Sequence, residues 1–181
     1  MATAAPRRRL LRRPVVLVAL ALLVVAGGVG LYLFQPWKLF VDQTVAEAAP
    51  VATAPVAADA PAAPAGPTVL ASGELITHEH ETTGTVQLLQ LPDGSKVLRV
   101  EDLDTSNGPL LKVWLTDQPV IEGPDGWHVF DDGRHLDLGD LKGNIGSANY
   151  PIPADADITD LTSVSIWCDR FDVSFGAATL T

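Results

Sequence analysis

From Pro14 to Phe34 no side chain carries a charge. At roughly 1.5 Å per residue, a helix over this run covers about 30 Å, the thickness of a bilayer's hydrocarbon core. Such a run cannot sit on the surface of a soluble domain, so it predicts a single transmembrane helix over 14–34. Arg7, Arg8, Arg9, Arg12 and Arg13 precede the run and only Lys38 closely follows it. The positive-inside bias therefore expects residues 1–13 to be a basic cytoplasmic tail and everything beyond Trp37 to be extracytoplasmic. Tyr32 and Trp37 stand where interfacial aromatics belong. The competing reading is a cleaved signal peptide, with Ala46, Glu47 and Ala48 as a small-residue processing site. The apolar run is too long for a signal-peptide core, and Trp37, Lys38 and Phe40 separate it from that triplet, so an uncleaved anchor is expected.

The chain's net charge of −10 conceals a basic head and an acidic body. From Leu70 to Thr181 there are 6 basic and 19 acidic residues. Nucleic acid is excluded as a partner, because phosphate binding needs clustered positive charge. A single cysteine cannot form an intrachain disulfide, so stability must come from an apolar core.

Residues 35–67 read as a juxtamembrane segment and a disordered Pro/Ala-rich linker, with prolines at 50, 55, 61, 64 and 67. This composition builds no core and favours an extended spacer that would hold a domain away from the bilayer. From 68 to 181 the pattern changes to short apolar alternations. Candidate strands are Val69 to Thr77, Gly84 to Leu91, Lys96 to Leu103, Leu111 to Thr116, Trp127 to Phe130, His135 to Asp137, Ser163 to Cys168 and Phe171 to Phe175. Turn chemistry separates them at Pro92-Asp93-Gly94, Ser106-Asn107-Gly108-Pro109, Gly123-Pro124-Asp125-Gly126 and Asp131-Asp132-Gly133. Many short strands without a long amphipathic helix predict an all-β domain, an antiparallel sandwich or barrel.

The clearest strand is Ser163 to Cys168, where Val164, Ile166 and Cys168 alternate with Ser163, Ser165 and Trp167. That parity points Cys168 into the core. After Asp169 and Arg170 it flips to Phe171, Val173 and Phe175, which requires a tight turn or a bulge.

The body from Gly73 to Leu180 resembles the DM-thirteen domain family, often labelled electron transfer. The resemblance rests on HETTG (80–84), VLRVEDL (97–103), TSNGPL (105–110), Val113 to Leu115, LGDLKGNIGSANY (138–150), Pro153 and SVSIWCDRFDVSFGAATL (163–180). Leu110 and Ala148 depart from the family's usual acidic residue and glutamine. The resemblance implies an all-β extracellular domain with one characteristic cysteine, here Cys168, and a redox role. Family members in matrix proteins imply a structural role as the rival.

Three sets of candidate site residues follow. Cys168 is the redox candidate, with Arg170 to lower the thiol's pKa and Trp167 to stack on a partner; against this, the parity that buries it favours a small apolar core residue. His78 and His80, two apart on one predicted strand face, are the candidate metal pair, though no spacing announces further ligands. The stretch Gly139 to Pro153, read as a long loop, offers Lys142, Asn144, Asn149 and Tyr150 to a sugar or peptide; the same residues serve equally to cap that loop internally.

No covalent-haem motif, nucleophile elbow, phosphate loop or dinucleotide fingerprint is present, and no catalytic constellation appears. The cofactor therefore stays unassigned. The expectation is a membrane-anchored redox or electron-transfer domain centred on Cys168 and facing a redox protein partner. Its rival is a non-catalytic ligand-binding or structural module of the cell envelope.

Overall fold

A computed structural model describes residues 14–50 and 66–181. The basic tail, 1–13, and most of the Pro/Ala-rich linker, 51–65, lie outside the described residues.

The first compact unit contains helix α1 (Pro14–Phe34). Pro14 opens it, where a missing amide N–H costs nothing. It ends at Gln35, which takes φ 41° ahead of Pro36. None of its side chains is buried, and it is long and apolar enough to cross a membrane.

The second unit runs from Trp37 to Thr181. Its described residues form strands β1 (Thr44–Ala46), β2 (Thr68–Glu74), β3 (Ile76–Thr77), β4 (Thr82–Gln90), β5 (Lys96–Thr105), β6 (Leu111–Thr116), β7 (His135–Asp140), β8 (Ile145–Ile152), β9 (Ser163–Cys168) and β10 (Val173–Thr179). They form two five-stranded sheets, ordered β1-β8-β5-β4-β2 and β3-β10-β9-β6-β7. This is a two-sheet sandwich and not a closed barrel. All pairings are antiparallel except β1 on β8.

The main core fills the space between the sheets. Val86, Leu98, Val100, Ala148 and Tyr150 of the first sheet face Val113, Leu115, Val164, Ile166, Cys168 and Phe175 of the second. Burying each large side chain contributes roughly 1.5–3 kcal/mol. A second, smaller core lies on the outer face of the second sheet, where Phe130 and the half-buried Val120 and Val129 cover Trp114, Trp167 and Ala177. For this reason all six residues of β9 are buried, the serines and Trp167 as well as the apolar parity.

The parity flip after Cys168 is resolved by both predicted devices. Residues 169–172 make the turn, with Asp172 at φ 50°, and the register shifts again between Ser174 and Gly176. Phe171 is therefore in the turn, and the last strand starts at Val173. A further bulge lies between β4 and β5. Gly84, at φ 128°, passes so close to the Glu101 carbonyl that a Cβ there would stand 2.8 Å from it.

Three sequence expectations are corrected. Trp127 to Phe130 forms no strand; it belongs to the segment that caps the second core. Gly139 to Pro153 is not a long loop, because β8 occupies most of it; alternating polar residues hid a strand whose polar face has protein partners. The third correction concerns residues 35–67. Residues 44–46 form β1 at one edge of the first sheet, while β2 lies at the opposite edge. The Pro/Ala-rich stretch thus connects two strands of one sheet, and the folded unit begins at Trp37 rather than at 68.

Candidate functional site

Cys168 closes β9, the strand with β6 on one side and β10 on the other. Its side chain is fully buried in the core between the sheets, opposite Leu111 in the ladder. The thiol donates to the Pro109 carbonyl at 3.2 Å. Burial pushes the thiol's pKa up; the backbone amides of Arg170 and Phe171 oppose the rise, and the charges of Glu79 and Asp169 add to it. Arg170 therefore acts through its main chain, and its side chain is exposed. A protonated, enclosed thiol is a poor nucleophile, so thiol exchange at Cys168 would require the strand end to open.

Trp167 points to the other face of the same strand. There it stacks on Trp114 at 5.0 Å between ring centroids, and Trp114 stacks in turn on the exposed His135 at 3.9 Å, nearly parallel. Strand register explains the contact. Trp167 pairs with Lys112 and His135 with Thr116, each two residues from Trp114, so the three rings are diagonal neighbours across β9, β6 and β7. Phe130 closes the inner end, edge-on to Trp167 at 6.4 Å. The Trp114 indole nitrogen is buried with no hydrogen-bond partner.

His78 lies on this same outer face. Its ring stacks on Phe130, and Nδ1 is 2.9 Å from the Ser174 hydroxyl, which itself accepts from Ser165 and donates to the Gly176 carbonyl. Burial holds its pKa down, with the Ile121 backbone opposing the fall. His80 packs on the Phe175 ring at 3.9 Å. The two imidazoles thus serve different clusters, because β3 ends at Thr77 and the strand geometry that would align them stops there. Among the described residues no group of three or more His, Cys, Asp or Glu converges as metal ligands.

Lys142, Asn144, Asn149 and Tyr150 do come together, around β1. Asn144 is buried; its amide donates to Asp42 Oδ1 and the Thr105 carbonyl, and its oxygen accepts the Gln43 N–H at 2.7 Å. Lys142 Nζ meets Glu47 Oε1 at 2.9 Å, and Glu47 Oε2 accepts the Asn149 N–H at 2.7 Å. These contacts, Lys142 first, hold the Glu47 carboxyl below its usual range. The Asn149 side chain joins the Ala48 carbonyl to the buried Arg99. Tyr150 accepts the Lys142 N–H, and burial pushes its phenol up to about 12. A Cβ on Gly146 would meet the Val45 carbonyl, so glycine there lets β1 approach. Lys142, Asn144 and Asn149 thus hold the chain's own segment 42–48, while the Tyr150 hydroxyl bonds Lys142.

Clefts among the described residues include one of about 440 Å³ beside Asp42, Glu81 and Asp104 and one of about 330 Å³ beside Lys96 and Pro153. Neither is lined by Cys168 or Trp167. Sequence reasoning missed Trp114 and His135. The alternation of Lys112, Trp114 and Thr116 against Val113 and Leu115 did mark an outer face for Trp114, but only strand register brings it to Trp167.

No curated protein and no solved structure matches the chain. The family described as "Electron transfer DM13" matches residues 74–180, from the end of β2 to one residue past β10 and including Cys168. Because that match covers more than half of the chain and nearly all of the sandwich, this protein belongs to the electron transfer DM13 family.

Proposed function

We propose that this chain is a membrane-anchored, extracytoplasmic redox module in which Cys168 is the redox centre. The observation that carries this reading is the family match over residues 74–180, which includes the one cysteine at the end of central strand β9. The geometry narrows the chemistry. A buried, protonated thiol bonded to a carbonyl is closed to disulfide exchange while the strand end is shut, so redox chemistry at Cys168 requires that end to open and the Sγ proton to leave. Anchoring rests on the length and apolarity of α1. Retention of the anchor draws support from Ala46 and Ala48: both belong to the segment bonded to β8, so processing there would strip the edge strand from the folded domain.

The rival reading, an envelope module binding a ligand through Lys142, Asn144, Asn149 and Tyr150, requires segment 42–48 to leave first. Native mass spectrometry of the full chain extracted from its own membrane separates the two. A redox group on the chain, or an adduct on Cys168 that is absent from Cys168→Ser, is the expected result. A bare, unprocessed mass with a thiol that resists oxidation would overturn the redox reading.

A further inference from the structure

The outer face of the second sheet carries three stacked rings in a line from the domain's interior to its surface. Trp167 is buried in the smaller core, Trp114 lies against it, and His135 on edge strand β7 is exposed over Trp114. Packing alone explains aromatic residues in a core. It does not explain why the line continues to an exposed imidazole stacked nearly parallel on an indole, on the outermost strand of the sheet. Packing also does not require an indole N–H left without an acceptor, which costs about 1–3 kcal/mol in a buried position. Along the chain, Trp167 is one peptide from Cys168, so the ring line and the thiol share strand β9 on its two faces.

We propose that Trp114 is the electron port of the domain, reached over His135 and coupled inward to Trp167. This rests on the redox reading and supplies the route it lacks. The step is an outer-sphere one: a high-potential one-electron oxidant, of the ferryl-haem class, takes one electron from the Trp114 ring and is reduced by one. Trp114 becomes a radical cation and shares the vacancy with Trp167. No bond forms or breaks. With no acceptor on Nε1 the indole keeps its proton, so no proton transfer limits the step. A one-electron reductant of the quinol or ascorbate class returns the electron and closes the cycle. Charge around the port selects the partner. Asp137 and Asp140 flank the ring line on β7, Lys112 opposite them is already paired to both, and the body as a whole is acidic. The docking face of the partner is therefore cationic.

The test uses the full chain in detergent, in a Trp37→Phe background that removes the exposed indole of the membrane-proximal segment. Tris(bipyridyl)ruthenium(III), a cationic one-electron oxidant, is generated by flash-quench, and the indole radical is followed by transient absorption. The radical is expected to form, to slow as ionic strength rises, and to fall to background in Trp114→Phe but not in Trp127→Phe. His135→Ala, at an exposed position that leaves the core intact, uncovers the Trp114 face and is expected to speed formation. An undiminished radical in a folded Trp114→Phe protein overturns the proposal. If that variant does not fold, an unchanged rate in His135→Ala does so. A radical at Trp114 in a chain whose Cys168 proves inert would leave the port standing and remove the redox-centre reading; a reactive Cys168 with no Trp114 radical would do the reverse.

Discussion

Single side chains on the outer face of the second sheet set how the domain responds to acid. His78 is buried against Phe130 and Ser174, and its pKa in the folded chain lies below the ordinary 6.5. The unfolded chain therefore binds the proton first as pH falls. The stability this residue contributes is complete above about pH 6.5 and is lost as pH drops through the folded value. The melting temperature should thus decline between pH 7 and pH 5, and His78→Gln should flatten that decline; an identical slope in the variant would count against the assignment. Thr82 is the other residue on which much depends. Its hydroxyl reaches the Phe175 carbonyl at 2.9 Å, the His80 carbonyl at 3.0 Å and the Thr105 hydroxyl at 2.7 Å, tying β4 to β5 and β10. Thr82→Val keeps the shape and orphans those partners, so urea unfolding should show a loss of about 1–3 kcal/mol. The burial of Cys168 was legible from its parity with Val164 and Ile166. The role of Thr82 was not, because its partners are up to 93 residues away in sequence.

At the scale of elements, β1 is the informative case. Three residues in a parallel pairing contribute little by themselves, and the strand is held mainly by side chains of its neighbour, with Asn144 as the pivot. Asn144→Ala removes a buried amide and leaves the Gln43 N–H and the Thr105 carbonyl short of a partner. A loss of about 2–6 kcal/mol in chemical denaturation is expected, on the scale of one to three for each orphaned group. Lys142→Ala should cost much less, since the Glu47 pair is partly exposed and worth at most about 1 kcal/mol. If the two substitutions proved equal, the edge would be held by charge rather than by the buried amide. Sequence periodicity found β6 and β9 to the residue because apolar alternation there is strict. It missed β8 and β1, which are tied by polar residues in and beside them, such as Asn144 with Asp42 and Asn149 with Glu47, across some hundred residues of sequence that no local window contains.

For the molecule as a whole, an apolar helix and a two-sheet sandwich share one chain; the helix and the all-β class were readable from hydropathy and turn chemistry, whereas the choice of sandwich over barrel was not. The position of the Pro/Ala-rich stretch was not, because composition distinguishes a connection from a core and says nothing of what it connects. With β1 folded on β8, the folded unit starts at Trp37, and that stretch follows β1 and precedes β2 along the chain. Cleavage after Ala48 would therefore destabilise the domain as well as release it. A chain beginning at Ala49 should melt below the full-length protein; an equal melting temperature would show β1 to be dispensable. The central claim is that the sandwich carries electrons through Cys168. Film voltammetry of the full chain in lipid nanodiscs, beside Cys168→Ser of matched melting temperature, tests it most directly. A reversible wave in the natural sequence that vanishes in the variant is the predicted result, and the same trace from both proteins, or no wave from either, would contradict it.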